Sequence, residues 1–407
     1  GRSITHTASL IQPAINTKWG AVSLLQAFDY ACAAALRGEE ANWGDYWGKL
    51  QDVEAIMRRI HFHGIAGVLN ERIELLANWP AQIIDVIERE SVSRAMWELR
   101  HRALIVQVIE ALHREGIRSV VLKGTAYAYS LYSAPSLRFR GDTDLLITEA
   151  DQAAASSALK NLGWVKAMGE PGPFGSVHYQ EIWQFTDPAG LTHDIDLHWE
   201  VTNSKALGHV LDAEKVIASA LPLDRLSPHA LRAESVAALI HRAINRAAHA
   251  QSGYFSMDRN EYDPNRLCWA LDIHLIAQSL SDQEWAKLSR RAINGGVAAI
   301  VYDALSFANA KLRTSVPEDV MVDLSSAPTD TPASRFLSSS NSFERGLANL
   351  IATKGFRKQF QLLLAMAFPS ASHMRDKYPG KSNTPLWVLY IRRFFEGVLR
   401  MGGGSPR

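Results

Sequence analysis

Apolar positions recur at helical spacing through the first hundred residues. Leu24, Leu25, Phe28, Cys32 and Leu36 form one stripe, and Val53, Ile56, Met57 and Ile60 form a second. Residues 85–116 carry one long amphipathic run that ends at Gly116, a residue favoured just past a helix. The pattern then changes. Residues 117–123 (IRSVVLK) are β-branched and apolar and predict a strand. Gly124-Thr125 follows, with a short helical stretch to about Tyr132 and a loop at Pro135-Ser136. Residues 143–147 (TDLLI) predict a second strand, and residues 149–162 a helix closed by Gly163.

Beyond WVKAM lies a Gly/Pro loop at 169–175. The strand-like runs 179–185 (YQEIWQF) and 191–201 (LTHDIDLHWEV) flank Asp187-Pro188-Ala189-Gly190, which predicts a hairpin. Residues 117–201 therefore read as a small α/β core with a mixed sheet. From about residue 208 the helical period returns, strongest in HALRAESVAALIHRAINRAAHA (229–250) and LCWALDIHLIAQSL (267–280). Residues 324–342 are rich in Ser, Thr and Pro and read as a linker, with two further helices and a flexible tail after it. The expected class is α+β. A small mixed-sheet α/β core at 96–207 is flanked by a helical region at 1–95, a helical domain packing on the core at 208–323, and a linker with C-terminal helices at 324–407.

Composition narrows the function. The 407 residues hold 43 Lys and Arg against 42 Asp and Glu, a net charge of +1. No bulk charge attracts a polyanion, so nucleic-acid binding would need a local patch. The Arg-rich stretches at 94–102, 286–291 and 357–376 are interleaved with acids or apolar residues, which disfavours an RNA substrate. Cys32 and Cys268 form no metal-spaced set, which fits a reducing cytoplasm. The opening GRSITHTASLIQ lacks an apolar h-region, so no signal peptide is expected, and its first Gly suggests a start other than the natural one. No run of ~18 apolar residues predicts a membrane span, and no membrane partner is expected.

The candidate chemistry lies in three segments: Val120 to Thr125, Arg138 to Leu146, and His193 to Trp199. Asp142 and Asp144 are two apart on a strand, so their carboxylates share a face. Like charges that close repel unless a cation neutralises them. Mg²⁺ combines one or two carboxylates with substrate phosphates, and two ions ~4 Å apart clamp both oxygens of an in-line displacement. Asp196 is a candidate third carboxylate, and Asp194 and His198 share its face. The Gly124-Thr125 turn lets backbone approach a phosphate at a helix N-terminus. Lys123 adds charge there, and Arg138 and Arg140 are expected to grip phosphate bidentately. Each feature alone is weak: Asp-x-Asp is common at solvated strand ends, and a lone strand Asp is often paired to an Arg. Their order within one compact unit carries the argument.

At these residues the sequence resembles the polymerase-beta-like nucleotidyltransferase superfamily. Within it, LKGTAYAYSLY, DTDLLI and DIDLHW are similar to a bacterial family of uncharacterised nucleotidyltransferases. The resemblance covers about residues 95–275. It implies Asp142, Asp144 and Asp196 as metal ligands, a phosphate-contacting role for Gly124 and Thr125, and a supporting role for Lys123 and Arg140. Thr125 stands where the family usually has Ser or Gly, and the gap from Gly124 to Asp142 is longer than the common spacing.

The implied reaction moves a nucleoside monophosphate from an NTP, with Mg²⁺ (two ions, or Mn²⁺), to an acceptor hydroxyl on a small molecule or peptide. The alternative is an NTP-dependent kinase on the same centre, and a third reading is an inactive binding protein. Acceptor, base preference and oligomeric state are not written in the motifs. His241, Asn245 and His249 fall on one face of the helix over 231–250, beside Arg242 and Arg246. They offer an acceptor or triphosphate contact, against a slightly favoured reading as a solvated polar face. Asp272 shares that ambiguity.

Overall fold

The computed structural model describes residues 14–17, 20–42, 53–167, 179–256, 259–339, 341–378 and 384–401. The opening residues read for a leader, the Gly/Pro loop at 169–175 and the tail after residue 401 lie outside the described residues.

A hairpin of β1 (Ala14–Thr17) and β2 (Gly20–Ser23) precedes helices α1 (Leu24–Leu36), α2 (Val53–His63), α3 (Ala66–Glu71) and α4 (Ala81–Arg114). The long α4 ends where Gly116 takes a φ of 72°, a left-handed turn that glycine adopts without strain. The central unit then runs β3 (Val120–Leu122), α5 (Lys123–Ser130), β4 (Asp142–Leu146), α6 (Gln152–Asn161), β5 (Val165–Lys166), β6 (Gln180–Thr186) and β7 (Thr192–His198). It continues through α7 (Ala213–Ala218), β8 (Leu221–Pro222) and β9 (Leu231–Arg232).

The sheet has seven strands in the order β5-β6-β7-β4-β3-β9-β8. β4 and β7 pair in parallel, as do β3 and β9, and the other neighbours are antiparallel. Val120, Val121, Leu145, Ile195 and Leu197 are fully buried, so the apolar halves of the central strands form the core. The expected hairpin is present. Asp187 Oδ1 accepts from the backbone N–H groups of Ala189 and Leu191 at 2.8 and 2.9 Å, and Gly190 takes a φ of 80°.

The helical half begins with α8 (Ser235–Ser252) and a small hairpin of β10 (Tyr254–Ser256) and β11 (Arg259–Glu261). Helices α9 (Leu267–Ser279), α10 (Asp282–Asn294), α11 (Ala298–Leu312), α12 (Glu318–Ser326) and α13 (Pro332–Ser338) follow. The chain ends in α14 (Ser342–Ala352), α15 (Phe356–Ala367), α16 (Ala371–Lys377) and α17 (Leu386–Met401).

The class is the expected one, a mixed sheet with helical regions before and after it. Four local expectations change, one being that the two helices expected after the linker are four, α14 to α17. The strand over 117–123 shrinks to Val120–Leu122, because Lys123 turns into α5 with a φ of 48°. The helix over 229–250 begins only at Ser235, because Leu231 and Arg232 join the sheet beside Val120 and Val121. The linker over 324–342 contains α13: Pro332 occupies the first turn, where its missing N–H is not needed, and Thr331 Oγ1 accepts from the Ser334 backbone N–H at 3.0 Å.

Candidate functional site

The parallel register of β4 and β7 sets Asp142 opposite Asp194, Asp144 opposite Asp196, and Leu146 opposite His198. Alternate residues of a strand share a face, so four carboxylates and one imidazole meet on one side of the sheet centre. Asp144 is nearly buried, and Asp142, Asp194 and Asp196 are half-buried. One Asp144 oxygen, Oδ1, takes both the Lys123 Nζ at 2.5 Å and the His198 Nε2 at 2.9 Å. The opposite ring nitrogen of His198 lies 3.0 Å from Asn203 Oδ1. Asn203 donates in turn to Gln180, whose amide lies 3.4 Å from Asp196 Oδ2. The hairpin register places Gln180 directly opposite His198.

Electrostatics single out the same group. Burial pushes the Asp142 carboxyl up to about 6, helped by repulsion from Asp144. Burial, then Asp144 and Asp142, push Asp196 up to about 8. Burial also opposes the charge on Asp144, yet Lys123 and His198 hold its carboxyl well below the usual range. So Asp144 is already neutralised from within, while Asp142 and Asp196 are ionised only with difficulty.

A divalent cation fits these residues. Ligand atoms of Asp144, Asp196 and His198 lie within 4.8 Å of one another. Asp194 Oδ1 is buried without a hydrogen-bond partner among the described residues. The donor set is oxygen-rich with one imidazole, which is a set that divalent cations take.

The opposite side of β4 is braced by a buried polar chain. Thr143 Oγ1 lies 2.7 Å from His101 Nε2 and 2.8 Å from Thr125 Oγ1. Arg140 donates from Nε to Thr125 Oγ1 at 2.8 Å and pairs with Glu98 at 2.7 Å. Tyr129 donates to Glu98 at 2.6 Å. His101 stacks on Trp97, with ring centroids 4.2 Å apart, and meets His193 at 3.2 Å.

This network revises the expectation for Arg138 and Arg140. Both are buried with their guanidinium groups engaged inside the protein. Arg138 pairs bidentately with Asp272 at 2.6 and 2.7 Å, and Tyr132 donates to the same carboxylate at 2.9 Å. A phosphate would have to break those pairs, so both arginines brace the loop before β4 rather than offer free charge. Gly124 packs beneath them: a Cβ there would lie 3.4 Å from the Arg140 Cβ. Asp272 has no exposed surface and is engaged by Arg138, as a supporting residue would be.

The solvated polar face favoured for α8 is also corrected. His241, Arg242 and Arg246 are buried, because α8 packs against α9, α10, α11 and α13. His241 lines a cavity of about 20 Å³ with Lys123 and Tyr127, and its burial beside Lys123 keeps the ring neutral. Asn245 accepts from Arg242, whose guanidinium lies 4.6 Å above the Trp269 ring.

The supporting residues Glu98, His101, Gln180, His193 and Asn203 were not among the expected site residues. Gln180 alone had a usable signal, since the hairpin turn fixes its position opposite His198.

A search among curated proteins finds no match. A family model described as "Uncharacterised nucleotidyltransferase" matches residues 49–313, a span that contains every carboxylate of this cluster. The chain therefore belongs to the uncharacterised nucleotidyltransferase family.

Proposed function

We propose that the protein transfers a nucleoside monophosphate from an NTP to an acceptor hydroxyl on a small molecule or peptide. Asp142, Asp144 and Asp196 form its catalytic centre. The observation that carries this reading is the paired register of β4 and β7, with four carboxylates on one face and two of them pushed up to about 6 and about 8. Asp142, Asp144 and Asp196 would hold the cation, with His198 and Asp194 beside them. When bound, Mg²⁺ or Mn²⁺ neutralises charge on the triphosphate and acidifies the acceptor hydroxyl.

The chain's own groups do the rest by positioning and electrostatics. Backbone N–H groups of Gly124 and Thr125, at the start of α5, cradle the phosphates. Lys123, now paired with Asp144, is within reach of the same phosphates through its flexible stem. The acceptor oxygen attacks the α-phosphorus, the bond to the bridging oxygen breaks, and pyrophosphate leaves. The hydroxyl proton passes to Asp196. Arg138, Arg140 and Asp272 hold the loop, and Asn203 and Gln180 orient His198 and Asp196.

The test is incubation with each labelled NTP, Mg²⁺ and cell extract, followed by mass spectrometry of the labelled product. The expected mass gain is one nucleoside monophosphate, and it is lost in Asp142→Ala and Asp144→Ala. A gain of one phosphate assigns the centre to kinase chemistry instead. Labelling that survives both substitutions removes the carboxylates from the reaction.

A further inference from the structure

Three of the last four helices turn apolar side chains outward. On α17, Trp387, Ile391, Phe394 and Phe395 are 65%, 49%, 67% and 60% exposed. Their spacing of four, seven and eight residues places them on one stripe of the helix. Its other sides carry Arg392, Glu396 and Arg393, and the buried Leu389. Arg393 donates to the Met366 carbonyl at 2.8 Å, and Tyr378 donates to Glu396 at 2.7 Å. The inward side of α17 thus carries Leu386, Leu389, Tyr390 and Arg393, and a second, aromatic flank faces out beside the exposed Arg392. α15 repeats the arrangement with Phe356, Phe360 and Leu363, and α14 with Leu347 and Ile351. Isolated exposed apolar residues need no explanation, but ordered stripes on three helices do.

Charge distinguishes the possible occupants. Residues 342–401 contain ten Lys and Arg against three Asp and Glu. Of the chain's 43 basic and 42 acidic residues, this leaves 33 and 39 elsewhere, so the positive excess is concentrated here. A second copy would bring one positive face against another. An anionic bilayer complements both properties: its acyl boundary takes Trp and Phe, and its headgroups take Lys and Arg. The segment is also tied to the core. Asn349 Oδ1 accepts from Ser204 Oγ at 2.8 Å and from the Ala206 backbone N–H at 3.0 Å, and Lys358 pairs with Glu149 at 2.9 Å.

We propose that α14, α15 and α17 form a docking face for an anionic membrane surface, on which the protein lies without spanning it. No described helix is long and apolar enough to cross a membrane. The inference does not depend on the nucleotidyl reaction.

The test is co-sedimentation of the full chain with phosphatidylcholine vesicles, with and without phosphatidylglycerol. Binding is expected only with the anionic lipid and should weaken as salt rises. Trp387→Ser, Phe394→Ser and Phe395→Ser combined should lower it on the order of a hundredfold. Phe356→Ser with Phe360→Ser is the second variant, decisive if the first melts differently from wild type. Three outcomes overturn the proposal. One is no binding to the anionic vesicles, and another is binding that neither variant reduces. The third is a lipid-free dimer that the substitutions convert to monomer, which would assign the face to self-association.

Discussion

Replacing Asp272 with Leu tests whether this acid holds the site together or meets substrate. Asp272 has no exposed surface and accepts two bonds from Arg138, at 2.6 and 2.7 Å, and one from Tyr132 at 2.9 Å. Asp272→Leu leaves the Arg138 charge buried without its carboxylate, a loss of about 3–5 kcal/mol. Arg138→Met leaves the acid with only Tyr132 and the more distant Arg242, 3.9 Å away, and a similar loss follows. Independent effects would sum to about 6–10 kcal/mol in the double variant. Removing both charges together leaves chiefly the Tyr132 hydroxyl unpaired, about 1–3 kcal/mol. The double variant is therefore expected to be more stable than either single one. Urea unfolding followed by circular dichroism measures all four proteins, and titration with Mg-NTP measures nucleotide affinity per folded molecule. Additive losses would refute the buried-pair argument. Unchanged stability with weakened nucleotide binding would return Asp272 to the substrate.

Two further outcomes concern the carboxylates. Folding raises Asp142 to about 6 and Asp196 to about 8, so in metal-free protein the stability present at low pH is lost as pH rises through those values. A bound cation relieves that repulsion, so the rise in Tm on adding Mg²⁺ should be larger near pH 8 than near pH 6, and an equal rise would contradict the account. Lys123→Met removes the cation that lies 2.5 Å from Asp144, so it should lower Tm strongly in EDTA and much less in Mg²⁺. Equal losses in both buffers, read by differential scanning fluorimetry, would mean that Lys123 and the metal do not share that carboxylate.

Much of the site was legible in local pattern. The alternation of DIDLHW put Asp194, Asp196 and His198 on one face, as Asp142 and Asp144 were on theirs, because a strand repeats every two residues. The Asp-Pro-Ala-Gly turn announced the β6–β7 hairpin and with it the position of Gln180. The expectation failed where a partner is remote. Arg140 reads as a phosphate grip until Glu98, 42 residues away, is found beside it, and Arg138 does so until Asp272, 134 residues away, is found. The α8 period marked one polar face, but the packing of four helices around it buried that face.

The sequence by itself determined the long helices, the central strands and their faces, and the residue types able to hold a cation. These follow from backbone periodicity and turn chemistry, which act over a few residues. Only the tertiary structure decided that β7 lies parallel to β4 with Asp144 opposite Asp196, that Lys123 and His198 meet on one Asp144 oxygen, and that the apolar stripes of α14, α15 and α17 face outward. The physical reason is the same in each case. Strand partners, ion pairs and solvent exposure depend on which distant segments are close in space, and hydrophobic pattern records only that a surface is apolar, not what covers it.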